Sequence, residues 1–173
     1  MKLKLIFLCF IFSGFISCKK ELTTNEKKFT QTSLISVKSY SYNELKPMLE
    51  KKDGTTYVIN FWATWCGPCV KELPAFEKLN KEYGATNVEV LLVSLDFPKQ
   101  LEKRLIPFLV KKNIQSKVVL LDDKNEDFWI KAIDTSWSGA IPATIIYNKN
   151  KRKFYEQSFD YETLEAELQT FLK

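Results

Sequence analysis

Cys66 and Cys69 stand three positions apart in the run Phe61-Trp62-Ala63-Thr64-Trp65-Cys66-Gly67-Pro68-Cys69, behind an apolar, aromatic stretch and ahead of a helix-like segment. A Cys-x-x-Cys pair at the start of a helix holds its first sulfur among unpaired backbone N–H groups at the positive end of the helix dipole, which favours thiolate over thiol. Thiolate is the species that attacks disulfides. A second sulfur less than one turn on can then close on the first and release a reduced partner from the mixed disulfide. The chemistry these residues point to is thiol-disulfide exchange, with Cys66 as nucleophile, Cys69 as resolving thiol and the two together as a redox-active disulfide. The chain has no histidine, which excludes an imidazole-activated nucleophile. A four-coordinate zinc would have to recruit carboxylates beside this one cysteine pair, so neither a metal nor a cofactor is expected.

The elements that must position the pair can be read from periodicity. Tyr57 to Trp62 is dense in β-branched and aromatic residues and reads as a buried strand that delivers the chain directly to the dithiol. From Cys69 to Tyr83 the apolar positions Val70, Leu73, Phe76, Leu79 and Tyr83 recur at three and four, as one buried helix face requires, with Pro74 expected to kink it. Upstream, Leu34 to Val37 reads as a first strand, and Ser41 to Lys51 as a helix opened by a Ser41 and Glu44 capping box. Downstream come a strand at Val88 to Leu95, a helix at Lys99 to Lys112 bent by Pro107, a strand at Val118 to Leu121 and a short helix at Asp127 to Ile133. Ala143 to Tyr147 and Phe154 to Phe159 read as hairpin strands, and Tyr161 to Leu172 as an amphipathic helix. Strands alternating with crossover helices and closed by an antiparallel hairpin indicate an α/β domain with a mixed sheet covered on both faces.

At 173 residues, 45% hydrophobic and 14% aromatic, the chain can bury the core of one ordinary domain. Lys2 and Lys4 precede an apolar stretch from Leu5 to Ile16 that is too short to span a membrane and ends in small and polar residues, so residues 1–17 read as an export signal. Its removal takes the formal charge from +5 to about +3. The one dense lysine run, Lys149 to Lys153, falls at the expected hairpin turn, so no nucleic-acid partner is expected. Phe15-Ile16-Ser17-Cys18 resembles the lipobox of bacterial lipoproteins, with Phe15 where leucine is usual, which would make Cys18 the lipidated first residue and the membrane anchor. An ordinary signal peptide with an incidental cysteine is the alternative. Residues 18–32 read as a flexible tether and 33–173 as the domain. After such processing the fold keeps only Cys66 and Cys69, and in an exported protein a lone close pair is a working redox centre rather than a staple.

From Ser33 onward the chain resembles the thioredoxin family. Trp65-Cys66-Gly67-Pro68-Cys69 looks like its active-site motif, Pro74 falls at its helix-kink proline, and Ala140-Ile141-Pro142-Ala143-Thr144 looks like its cis-proline loop. The longer segment between Cys69 and Pro142 seats an extra strand-helix unit, as in the TlpA and ResA branch of tethered, exported disulfide reductases. The resemblance implies a cis Ile141-Pro142 bond, with Trp65, Gly67, Pro68, Ile141 and Pro142 meeting an extended substrate segment. It also implies disulfide-containing protein substrates, a membrane-embedded thiol donor, and cytochrome c maturation as one purpose. Trp62 reads as core, and Trp65 and Trp137 as an apolar rim. The buried aspartate that thioredoxins carry before the Phe-Trp pair is Asn60 here, which cannot exchange protons. Glu72, one helical turn after Cys69, corresponds to the glutamate that ResA-like proteins carry near the dithiol and becomes the candidate acceptor for the Cys69 proton; a solvated helix glutamate is the alternative.

Three functions follow in order. The first is a protein-disulfide reductase; the Gly67-Pro68 dipeptide, which looks like that of reducing thioredoxins, favours it. The second is a disulfide oxidase or isomerase, and the third a lipoprotein that uses the fold only to bind partners.

Overall fold

A computed structural model describes residues 36–172, so the expected export signal, the tether, Cys18 and the first half of the Leu34 to Val37 strand lie outside the described residues. A seven-residue run without a charged side chain, Thr56–Trp62, forms strand β2, and all seven of its residues are buried. Strands covered on both faces read this way because neither face of the pleat meets water. β2 lies inside a six-stranded sheet with β1 (Lys38–Tyr40), β3 (Val88–Ser94), β4 (Lys117–Leu121), β5 (Ala143–Tyr147) and β6 (Arg152–Tyr155), in the order β1-β4-β3-β2-β5-β6. β1, β4, β3 and β2 run parallel, whereas β5 pairs antiparallel to β2, and β6 antiparallel to β5.

Side-chain alternation along β2 feeds two cores. Val58 and Trp62 pack with α2 (Gly67–Tyr83), α3 (Ile106–Lys112) and α5 (Tyr161–Leu172), through residues such as Phe76, Leu79, Leu109 and Leu168. Ile59 and Phe61 face α1 (Tyr42–Leu49) and α4 (Glu126–Ile133), through Leu45 and Trp129. The same alternation puts Asn60, fully buried, on the α2 side. The added strand-helix unit expected between the dithiol helix and the proline loop is β4 with α4.

Four expectations need correction. Ser36 and Val37, the described part of the expected first strand, lie outside β1, which is Lys38–Tyr40, because a three-residue edge strand takes its position from its partner: Lys38 faces Val119, and the Tyr40 carbonyl accepts the Asp122 N–H at 2.8 Å. The helix expected over Lys99 to Lys112 is broken into a 3₁₀ turn (Pro98–Gln100), a π turn (Leu101–Leu105) and α3. Pro107 has no N–H for the carbonyl four residues back, and just ahead of it the Ile106 N–H reaches back to Leu101, the wider spacing of a π bulge. β6 starts earlier than expected and ends at Tyr155. The chain then leaves the sheet, and Phe159 is buried against the edge of the Tyr155 ring, centroids 5.2 Å apart. Trp137 is core rather than rim: it has no exposed surface, packs against Phe61, Trp129 and Phe154, and donates its indole N–H to the Ala140 carbonyl at 2.8 Å. By contrast α1 begins as expected, with the Glu44 carboxylate accepting the Ser41 N–H at 2.8 Å, and Trp62 is fully buried.

Candidate active site

At the carboxyl end of β2 the chain turns through Ala63 to Cys66, closed by a hydrogen bond from the Cys66 N–H to the Ala63 carbonyl at 3.1 Å. This turn is fastened from outside the motif. Asp96, just past β3 and nearly fully buried, accepts the Thr64 N–H at 3.0 Å, the Thr64 hydroxyl at 2.5 Å and the Ser94 hydroxyl at 2.9 Å. Sequence reading missed Asp96, because nothing local marks a carboxylate that holds a turn 32 residues away in the chain.

Cys66 caps α2 and is joined to Cys69 in a disulfide, their Cα atoms 5.3 Å apart. The Cys69 N–H points at Cys66 Sγ at 3.2 Å, a donor that would stabilise a thiolate there together with the helix dipole. Cys66 keeps 6% of its surface exposed and Cys69 none, so an incoming disulfide can reach only the first sulfur. Gly67 and Pro68 are exposed, and a Cβ at Gly67 would meet nothing within 4 Å, so the glycine leaves approach open rather than relieving a clash. The Ile141-Pro142 bond is cis, and the Ile141 carbonyl oxygen lies 3.7 Å from Cys66 Sγ. Trp65 is 49% exposed, and so is Phe97 at 64%, next to the Asp96 that holds the same turn. Two aromatic side chains therefore stand uncovered, one beside Cys66 in sequence and one beside Asp96, the second unmarked in sequence because an isolated phenylalanine in a loop carries no periodic signal.

Glu72 is not a solvated helix residue. Only 4% exposed, it accepts the Asn60 amide N–H at Oε1 (2.8 Å) and the Phe159 N–H at Oε2 (2.8 Å). Burial pushes its pKa up from the ordinary 4.5 to about 7, against the opposing pull of the Phe159 and Asn60 hydrogen bonds. Desolvation wins because the two donors are neutral dipoles and no cation pairs with the carboxylate. Glu72 also borders an open cavity lined by Pro68, Lys71, Lys78, Asp160 and Tyr161, which gives a proton a way out to solvent. Among the described residues there is no cluster of three or more His, Cys, Asp or Glu that could hold a metal, and no helix long and apolar enough to cross a membrane.

A cysteine pair that opens a helix at the end of a central strand, with the carbonyl of the residue before a cis-proline against its first sulfur, defines a thiol-disulfide oxidoreductase of thioredoxin fold. Residues 20–152 match the AhpC/TSA family, and the chain belongs to that family. It is 34% identical over 121 residues to the thioredoxin-like protein YneN of Bacillus subtilis, covering 69% of this chain and 68% of that one. It is 29% identical over 102 residues to the thiol-disulfide oxidoreductase ResA of Halalkalibacterium halodurans, covering 59% of this chain and only 53% of the relative. The solved structure of StoA from Bacillus subtilis superposes with a TM-score of 0.54 over 68% of this chain and 84% of StoA, at 22% identity, a likeness of fold.

Proposed function

We propose that the protein is a protein-disulfide reductase working outside the cytoplasm. The observation that carries this reading is the pairing of a helix-capping dithiol with a buried carboxyl, Glu72, whose pKa of about 7 lets it take and return a proton near neutrality. In the reduced form the Cys66 thiolate attacks one sulfur of a substrate disulfide. The substrate's other sulfur leaves as a thiolate and is protonated from solvent. Glu72 then accepts the Cys69 proton, directly or through water, as the Cys69 electron pair attacks Cys66 Sγ. The second substrate sulfur leaves, and the Cys66-Cys69 disulfide forms. Two electrons have passed to the substrate, and a membrane-embedded thiol donor restores the dithiol.

Trp65, Gly67, Pro68, Ile141 and Pro142 form the surface that meets the substrate. The Ile141 backbone is placed to pair with an extended segment in the manner of strand addition, and Trp65 and Phe97 receive its apolar neighbours. Residues 1–17 act as the export signal, lipid on Cys18 anchors the protein and 18–32 let the domain reach its substrates. Apocytochrome c cysteines, kept reduced for haem attachment, are the substrates we favour. The test is turnover of a disulfide-bonded protein by the reduced enzyme. Cys66→Ser is expected to abolish reduction, and Cys69→Ser to accumulate a mixed disulfide through Cys66 that excess thiol releases. Full activity in Cys66→Ser would overturn the reading.

A further inference from the structure

Asn60 and Glu72 meet in the buried layer between β2 and α2, and their hydrogen bonds are one-sided. The Asn60 amide nitrogen Nδ2 donates to Glu72 Oε1 at 2.8 Å, to Thr144 Oγ1 at 3.2 Å and, at the long distance of 3.5 Å, to the Ala143 carbonyl, whereas its Oδ1, on a side chain with no exposed surface, has no partner. A buried carbonyl oxygen is costly to leave unpaired, so this one calls for a reason. The two ends of an amide fill nearly the same space, and a half-turn about the terminal bond exchanges a donor for an acceptor.

The proton on Glu72 supplies that reason. Oε2 faces the Phe159 N–H, a backbone donor that cannot turn round, so an incoming proton belongs on Oε1. There it would point at the Asn60 N–H, donor against donor. If the amide makes its half-turn, Oδ1 comes to face Glu72 and accepts the new O–H. The Thr144 hydroxyl, which can both give and accept, changes from accepting the amide N–H to donating to Oδ1. With the carboxylate four hydrogen bonds hold the group, Asn60 to Glu72, Asn60 to Thr144, the long Asn60 to Ala143 and Phe159 to Glu72; with the acid three do, Glu72 to Asn60, Thr144 to Asn60 and Phe159 to Glu72, the 3.5 Å bond to Ala143 being given up.

We propose that Asn60 is a swivelling positioning residue which, with Thr144, turns its amide nitrogen to the Glu72 carboxylate and its amide oxygen to the Glu72 acid, so that the Cys69 proton is taken up and given back without setting donor against donor at Glu72. This rests on the reading of Glu72 as proton acceptor. The proton goes from the Cys69 thiol to Glu72 Oε1, the electron pair stays on sulfur for the attack on Cys66, and the proton later leaves by the cavity beside Glu72. The other titratable groups around Glu72 are Lys71 and Lys78 on α2, Asp160 before α5, Tyr161 on α5 and the Cys69 thiol itself. The asparagine thus serves the proton transfer without carrying a proton of its own.

The test is NMR on the full, isotope-labelled wild-type chain, oxidised so that Cys69 does not titrate, between about pH 5 and about pH 9. Cross-peaks from the Asn60 side-chain N–H protons to the Glu72 side chain are expected above the carboxyl's own midpoint and are expected to vanish below it. In Glu72→Gln the Asn60 orientation should not change with pH. Cross-peaks that persist through the whole Glu72 titration would overturn the swivel, and so would their absence at both ends. A separate measurement separates the two ideas: the rate of Cys69 attack on the mixed disulfide in Glu72→Gln. If the amide turns but this rate is unchanged, the swivel stands and the acceptor role of Glu72 falls. If the rate drops but the amide stays fixed, the swivel falls alone.

Discussion

Replacing Glu72 by glutamine should remove a specific part of the protein's pH-dependent stability. In the folded protein the Glu72 pKa lies at about 7, against an ordinary value of 4.5 that the unfolded chain should show. A carboxyl whose folded pKa is raised binds its proton more tightly when folded. It therefore contributes fully below pH 4.5, and that contribution is lost as pH rises to about 7. At 1.36 kcal/mol per pH unit, the interval from 4.5 to about 7 amounts to about 3 kcal/mol. The assay is urea unfolding of the oxidised protein at a series of pH values, with wild type and Glu72→Gln measured side by side. Other groups titrate equally in both, so the difference between the two curves isolates Glu72. Wild type should lose about 3 kcal/mol relative to the variant as pH rises through that window. The amide at position 72 will shift the whole curve by a constant, since it fits the Asn60 and Phe159 donors less well, but that shift is independent of pH. Parallel curves would refute the buried, desolvated carboxyl on which the proton-transfer reading depends.

Two further outcomes test the surroundings of the dithiol. Trp65→Ala should raise KM for a disulfide-bonded protein about tenfold, the worth of one well-placed interface aromatic at roughly 1.4 kcal/mol, with kcat and the reduction of a small soluble disulfide little changed; equal losses on both substrates would mean that Trp65 acts on the thiolate instead. Trp137→Ala should cost about 3–5 kcal/mol in denaturant unfolding, as a fully buried indole lost from a close-packed cluster, whereas a cost below about 1 kcal/mol would return Trp137 to the rim.

Much of the site could be read in the sequence because its parts are local. The dithiol needs only a strand, a turn and a helix start contiguous in the chain, and Cys66 caps α2 where the spacing put it. Glu72 falls on the Cys69 side of that helix by its spacing of three residues. What sequence left out is long-range. Asp96 reaches Thr64 from the loop after β3, and Phe159 supplies its N–H to Glu72 from a segment that reads as a continuation of β6. The burial of Glu72 depends on that segment leaving the sheet, and no periodicity in 154–159 signals the departure. Trp137 was misplaced because an indole beside a proline loop fits rim and core alike; only the packing of Phe61, Trp129 and Phe154 around it decides. The fold class survived these errors because it rests on the alternation of whole elements rather than on their ends.

The central claim is that the Cys66-Cys69 pair donates electrons to substrate disulfides, and its most direct measurement is the reduction potential of the purified protein equilibrated against graded glutathione or dithiothreitol ratios. A value near that of thioredoxin, about −270 mV, is the expected result and requires an upstream electron supply. A value near about −120 mV would contradict the account and make the protein a disulfide donor.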